Sequence, residues 1–175
     1  PEANLLAKIP NGGTPEIDEH ILGRVVTYLQ TLAPPAQRNY SKKNVAEGKI
    51  LFHEIGCTSC HVPKMKTDEF AAIPELRNQV IHPYTDLLLH DMGKELADNL
   101  PDFEATGSEW RTPPLWGIGL TRIVNGHTRF LHDGRARNLE EAILWHGGEG
   151  LNSKQSYTSL PADQRKKLLS FLNSL

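Results

Sequence analysis

The run Cys57-Thr58-Ser59-Cys60-His61 constrains this chain of 175 residues more than any other stretch, and its two cysteines are the only ones present. Two thiols two residues apart on one tight turn can reach the two vinyl groups of a single porphyrin, and the histidine that follows can place its imidazole on the iron. The run therefore reads as the attachment site of one covalently bound haem c. Two other uses of paired cysteines compete with it. A thioredoxin-like redox pair needs a βαβ setting, whereas the flanking sequence reads helical, and a zinc site needs two more ligands at matching spacing. Neither requires a histidine directly after the second cysteine.

Composition narrows what surrounds that site. With 19 Lys and Arg against 21 Asp and Glu, the formal charge of -2 supplies no basic field for nucleic acid or anionic lipid. No apolar run approaches the roughly 20 residues that a membrane span requires. The opening Pro1-Glu2-Ala3-Asn4 lacks the basic and apolar regions of a signal peptide, so the chain reads as processed or truncated. Covalent haem attachment belongs outside the cytoplasm, which makes the bacterial periplasm the expected compartment. The 14 glycines and 12 prolines, with few aromatic residues, predict short helices joined by long ordered loops; together with the haem-attachment run, the expected fold is mainly α, a cytochrome c-like haem domain with an N-terminal leading helix.

The spacing of Ile17, Ile21, Val25, Leu29 and Leu32 predicts an amphipathic packing helix over 16–32, capped by Thr14 and stopped by Pro34-Pro35, with His20 on its surface. Beyond a polar linker, Asn44 and Glu47 have the form of a capping box. The helix they open would bring Val45, Ile50, Leu51 and Phe52 into the core, leave His53 to solvent, and lead through Gly56 to Cys57. This divides the chain into a leading and linker segment over 1–40 and a haem domain over 41–175. After His61, Val62-Pro63 turns the backbone away from helical geometry, and a region without sustained period follows, read as wrapping the haem. His90 and Met92 in that region are both chemically able to ligate iron, with core packing as the plain alternative for Met92. Met65 lies too close to His61 to reach the opposite face.

Farther on, the guanidinium of Arg111 suits a haem propionate, although a solvated arginine explains it equally well, and the same holds for Arg135 and Arg137. His132-Asp133-Gly134 forms a turn. Asn138 then caps a short helix with Glu140 and Glu141 in its first turn and with Leu139, Ala142, Ile143 and His146 on one face, ended by Gly147-Gly148. A closing helix within 159–175, with Leu168, Leu169, Leu172 and Leu175 inward, should pack against the Asn44 helix.

Taken together, these stretches resemble the bacterial di-haem cytochrome c peroxidase superfamily, and more closely its di-haem oxidoreductase branch. The likeness rests on Gly48-Lys49-Ile50-Leu51-Phe52, residues 83–93, residues 110–119, and Phe130-Leu131-His132-Asp133-Gly134-Arg135 through Leu139-Glu140-Glu141-Ala142 to His146-Gly147-Gly148-Glu149. It runs from about Ile17 to the C-terminus. Such proteins carry two haem domains, and this chain resembles the second, the electron-transfer centre. The resemblance implies a missing N-terminal haem domain as one partner and small redox proteins as electron donor and acceptor. In the peroxidases the relay haem takes its distal ligand, commonly methionine, fourteen residues after the histidine of the His-Asp-Gly turn. Counting from His132 lands on His146. A related di-haem enzyme has tyrosine there, so the position tolerates different donors. The implied iron ligands are His61 and His146, with Met92 as the alternative sixth ligand. The local sequence agrees, because a short capped helix ended by two glycines would fix the imidazole's direction, although His146 could equally serve as a hydrogen-bonding group at a helix end. A calcium ion often sits between the two domains of such proteins. Thr121 matches part of that motif, but the proline is replaced by a longer loop and the partner asparagine belongs to the missing domain, so calcium stays open without support.

The expected function is thus an electron-transfer haem domain of a periplasmic di-haem protein. The competing reading is a peroxidase-type enzyme with an open iron position, in which His132 with Asp133, or His90 with Asp91, acts as acid and base. A docking module whose haem mainly stabilises the fold is a third.

Overall fold

The computed structural model describes residues 12–175, which fall into two compact units divided between Ala33 and Pro34. In the first, α1 spans Glu19–Thr31. Its cap is Asp18 rather than Thr14: the Asp18 carboxylate accepts the Ile21 N–H at 2.9 Å, and Glu19 places a second negative charge at the positive helix end. An aspartate adjoining the periodic residues displaces a threonine farther upstream, so the helix starts later than its sequence pattern predicts. No residue of α1 is buried.

The second unit is built on two crossed partners, α2 (Lys43–Glu54) and α6 (Ala162–Leu172), and their contact is the one predicted between the Asn44 helix and the closing helix. Gly48 lets them meet. A Cβ there would run into the Lys167 carbonyl oxygen and come within 2.9 Å of Phe171 Cβ, so any side chain at this position forces the helices apart. Around the crossing lie Val45 and Phe52 from α2 and Leu168, Phe171, Leu172 and Leu175 from the C-terminal end, all buried. The rings of Phe52 and Phe171 lie 5.3 Å apart, and Tyr84 joins them edge-on at 5.6 Å from Phe171. Ile50, expected inside, is exposed: it lies at the rim of the contact, in a shallow hollow shared with Gln164 and Lys167 of α6. The predicted capping box does not form: the helix starts at Lys43, Asn44 lies within it, and Glu47 instead pairs with Lys167 of α6 at 2.9 Å. Gln37 and Arg38 tie the start of this unit to its end through Ser174, Leu175 and Asn173.

Between these helices the chain runs mostly as ordered loop. Two small antiparallel sheets pin it, β1 (Met65–Lys66) with β2 (Val80–Ile81) and β3 (Leu89–Asp91) with β4 (Glu109–Arg111). Helices α3 (Thr121–Asn125), α4 (Leu139–Trp145) and α5 (Leu151–Ser159) complete six among the described residues, and the described chain is mainly α. None of these helices is long and apolar enough to cross a membrane.

Candidate functional site

Helix α2 delivers the chain to a 3₁₀ turn, Cys57–Ser59, which the His61 N–H closes on the Cys57 carbonyl at 3.0 Å. Both thiols are free. Burial pushes the Cys57 thiol up to about 12, and burial together with the carboxylates of Asp86 and Glu149 pushes Cys60 up as well. A redox-active pair would need at least one depressed thiol, so these are two protonated thiols rather than a thioredoxin-like nucleophile and its partner.

The imidazole of His61 is fixed by its Nδ1, which lies 3.0 Å from the Tyr84 carbonyl oxygen. A carbonyl only accepts, so Nδ1 carries the proton and Nε2 keeps its lone pair. Tyr84 is 3 % exposed and wedged against Phe52 and Phe171, which makes its carbonyl a rigid anchor. Burial pushes His61 down to about 4, outweighing the Tyr84 hydrogen bond, which acts to raise it. His146 is arranged alike at the end of α4. Asn138 caps that helix by accepting the Glu141 N–H at 2.8 Å, as its sequence predicts, and one turn back from His146 the Ala142 carbonyl takes the His146 Nδ1 proton at 2.7 Å. Burial lowers His146 too. At neutral pH both rings are neutral, each with Nδ1 engaged and an Nε2 lone pair to offer, the form in which histidine ligates metals.

A hydrogen-bonded network joins the two halves of this site. His90 on β3 lies with Nε2 at 2.8 Å from Asp86 Oδ2 and Nδ1 at 2.8 Å from Glu149 Oε2, and its Nδ1 is also 3.7 Å from Cys60 Sγ. Glu149 raises the His90 pKa, with Asp86 adding to it, while His90 holds Glu149 below the usual carboxylate range. Neither Asp86 nor Glu149 stands out in the sequence as a site residue. The four-residue spacing from Asp86 to His90 is a usable signal, whereas Glu149, although it ends one of the stretches that carry the family resemblance, is 59 residues from His90 and nothing local pairs the two.

The remaining sequence candidates take different places. Met92 is half-buried, and its Cε would lie 3.4 Å from a Cβ placed at Gly150, which would also meet His146 Cδ2 at 3.1 Å, so thioether and imidazole converge on the same glycine. Arg111 is exposed on β4. Arg135 bonds Asp133 at 2.6 Å and the Glu95 carbonyl, and sits 4.9 Å over the Trp145 ring, while Arg137 pairs with Glu141 at 2.6 Å. Of the two proposed acid–base pairs, only His132 with Asp133 comes within ion-pair range. His90 engages Asp86 and Glu149 instead of Asp91, and His132 stacks on Trp110 at 3.5 Å while Asp133, 4.0 Å away, is held by Arg135. The Thr121 hydroxyl is spent on the Ile118 carbonyl at 2.7 Å.

The two half-buried imidazoles set an acid limit on the haem-free chain. His61 titrates near 6.5 when unfolded and about 4 when folded, so between those values the unfolded state binds more protons and stability falls as pH falls. The expected loss is on the order of 3 kcal/mol for His61 by the time the pH reaches its folded value. Urea unfolding of the haem-free chain at a series of pH values between about 7 and 4 checks this. A midpoint unchanged over that range contradicts it, and His61→Gln should flatten most of the slope.

Two free thiols on one turn, a histidine directly after them and a second neutral imidazole are the groups by which a covalently attached haem would be held. A haem-based redox protein is the class this set defines. A family model described as "Di-haem oxidoreductase, putative peroxidase" matches residues 7–175, which extends the likeness to nearly the whole chain. The chain belongs to the di-haem oxidoreductase family. Neither the curated proteins nor the solved structures gave a match.

Proposed function

We propose that this chain is an electron relay, the C-terminal haem domain of a periplasmic di-haem protein, with residues 41–175 as a cytochrome c-like haem domain and 1–40 leading into it. One haem c is attached through Cys57 and Cys60. His61 and His146 hold its iron, and Arg111 turns to a propionate. Bound there, the haem supplies a one-electron couple. The chain's residues supply its surroundings: Tyr84 and Ala142 orient the two imidazoles, and burial keeps them neutral. The observation that carries this reading is the matched pair of histidines, each with Nδ1 given to a backbone carbonyl and Nε2 left to coordinate. Two such donors would leave a bound iron no vacant position for peroxide, and His90 is taken up by Asp86 and Glu149 rather than paired with Asp91. Small redox proteins and an N-terminal haem domain are the partners that a relay of this kind serves.

Steady-state assay of the haem-loaded chain tests it. Turnover with hydrogen peroxide should be no higher than that of an ordinary cytochrome c, while reduction and reoxidation by small redox proteins should be fast. Peroxide turnover well above that of free haem would overturn the relay in favour of an enzyme with an open iron.

A further inference from the structure

The relay reading needs His146 to stay in place although it closes a helix of only seven residues and precedes two glycines. What holds it comes from across the site. The 3₁₀ turn Gly148–Gly150 that follows His146 lies directly on β3. A Cβ on Gly148 would strike the Asp91 carbonyl oxygen, and one on Gly147 would come within 2.7 Å of the Met92 carbonyl oxygen, so the two backbones touch because both residues are glycine. From the middle of this turn Glu149 reaches back with both oxygens. Oε1 accepts the Asp91 backbone N–H at 3.0 Å, and Oε2 takes the His90 Nδ1 contact at 2.8 Å. His90 is steadied on its other side by Asp86.

A surface ion pair is the ordinary explanation for a glutamate whose side chain is 55 % exposed, and such pairs stabilise little. Here, however, the two oxygens are divided between a backbone donor and an imidazole, both on the strand that the His146 turn must lie against. That arrangement fixes position as well as adding energy.

We propose that Glu149, braced by His90 and Asp91, is a positioning residue that latches the His146 turn onto β3 and so keeps the His146 imidazole at the iron. The proposal rests on the ligand assignment above and extends it to a residue that touches no iron. Releasing the latch lets the turn lift, and the imidazole leaves with it.

The test uses the ferric, haem-loaded chain and its Glu149→Ala, Glu149→Gln and His146→Ala variants, with cyanide as the probe and thermal unfolding as a parallel readout. The parent should exclude cyanide. Glu149→Ala should bind it about tenfold or more faster, the scale of one lost hydrogen bond to a charged group, while melting close to the parent. Glu149→Gln should recover most of the exclusion, because its carbonyl still accepts from Asp91. Cyanide exclusion in Glu149→Ala equal to that of the parent overturns the latch. Failure of the ligand assignment would show separately, as a His146→Ala protein that also excludes cyanide.

Discussion

Serine at Cys57 and Cys60 together is expected to abolish retained haem: the intact mass of the parent should exceed that of the bare chain by one porphyrin through acid and organic extraction, and the double variant should show no such increment. The effect is large because the site has no substitute for the thioethers. Both thiols are protonated and half-buried on one short turn, so neither is poised for other chemistry. Single substitutions should leave one thioether and poor assembly. The loops around the site should loosen as well, since beyond the packing of Tyr84 and Leu115 on the core they are held to one another by a few long-range bonds, such as the Thr85 hydroxyl to the Thr112 carbonyl and the Trp110 indole to the Leu96 carbonyl. Haem that extracts freely from the parent contradicts the attachment.

The second large effect is expected at the distal ligand. His146→Ala should lose the low-spin, two-imidazole spectrum in essentially all of the protein, whereas Met92→Ala should retain it. The reason lies in how the two side chains are held. The His146 imidazole is fixed at both its helix and its Nδ1, while Met92 is a flexible thioether whose methyl rests beside Gly150. Two imidazoles should also give a lower reduction potential than an imidazole with a thioether, since sulfur favours ferrous iron more than nitrogen does. Conversion to high-spin haem in the Met92 variant alone, or a sulfur-to-iron charge-transfer band in the parent, would exchange the two assignments.

How far the fold could be read in advance depended on the range of the forces that make each element. The turn at Cys57, the Asn138 cap and the closing helix with Leu168 and Leu172 inside are all set by neighbours within a few residues, and the sequence displays them. Helix α5 was not legible because Leu151–Ser159 carries no apolar stripe and buries only Tyr157, whose hydroxyl donates to Glu140 at 3.0 Å. The capping box at Asn44 was a reasonable local pattern that lost to a tertiary one, with Glu47 drawn to Lys167 across the helix crossing. In the candidate site, the donors Cys57, Cys60 and His61 stood out by residue type and spacing, and His146 only through the family resemblance. Their supports did not. Tyr84 and Ala142 act through backbone oxygens that any residue type supplies, and Glu149 acts across a contact that only the folded chain brings together.

The central claim is an iron closed on both faces by protein imidazoles. The optical spectrum of the intact haem-loaded chain, recorded before and after adding cyanide and then hydrogen peroxide, tests it most directly. A six-coordinate low-spin spectrum without a sulfur band, unchanged by either addition, is the predicted result. A high-spin spectrum, or one that shifts on the first addition of either ligand, would contradict it.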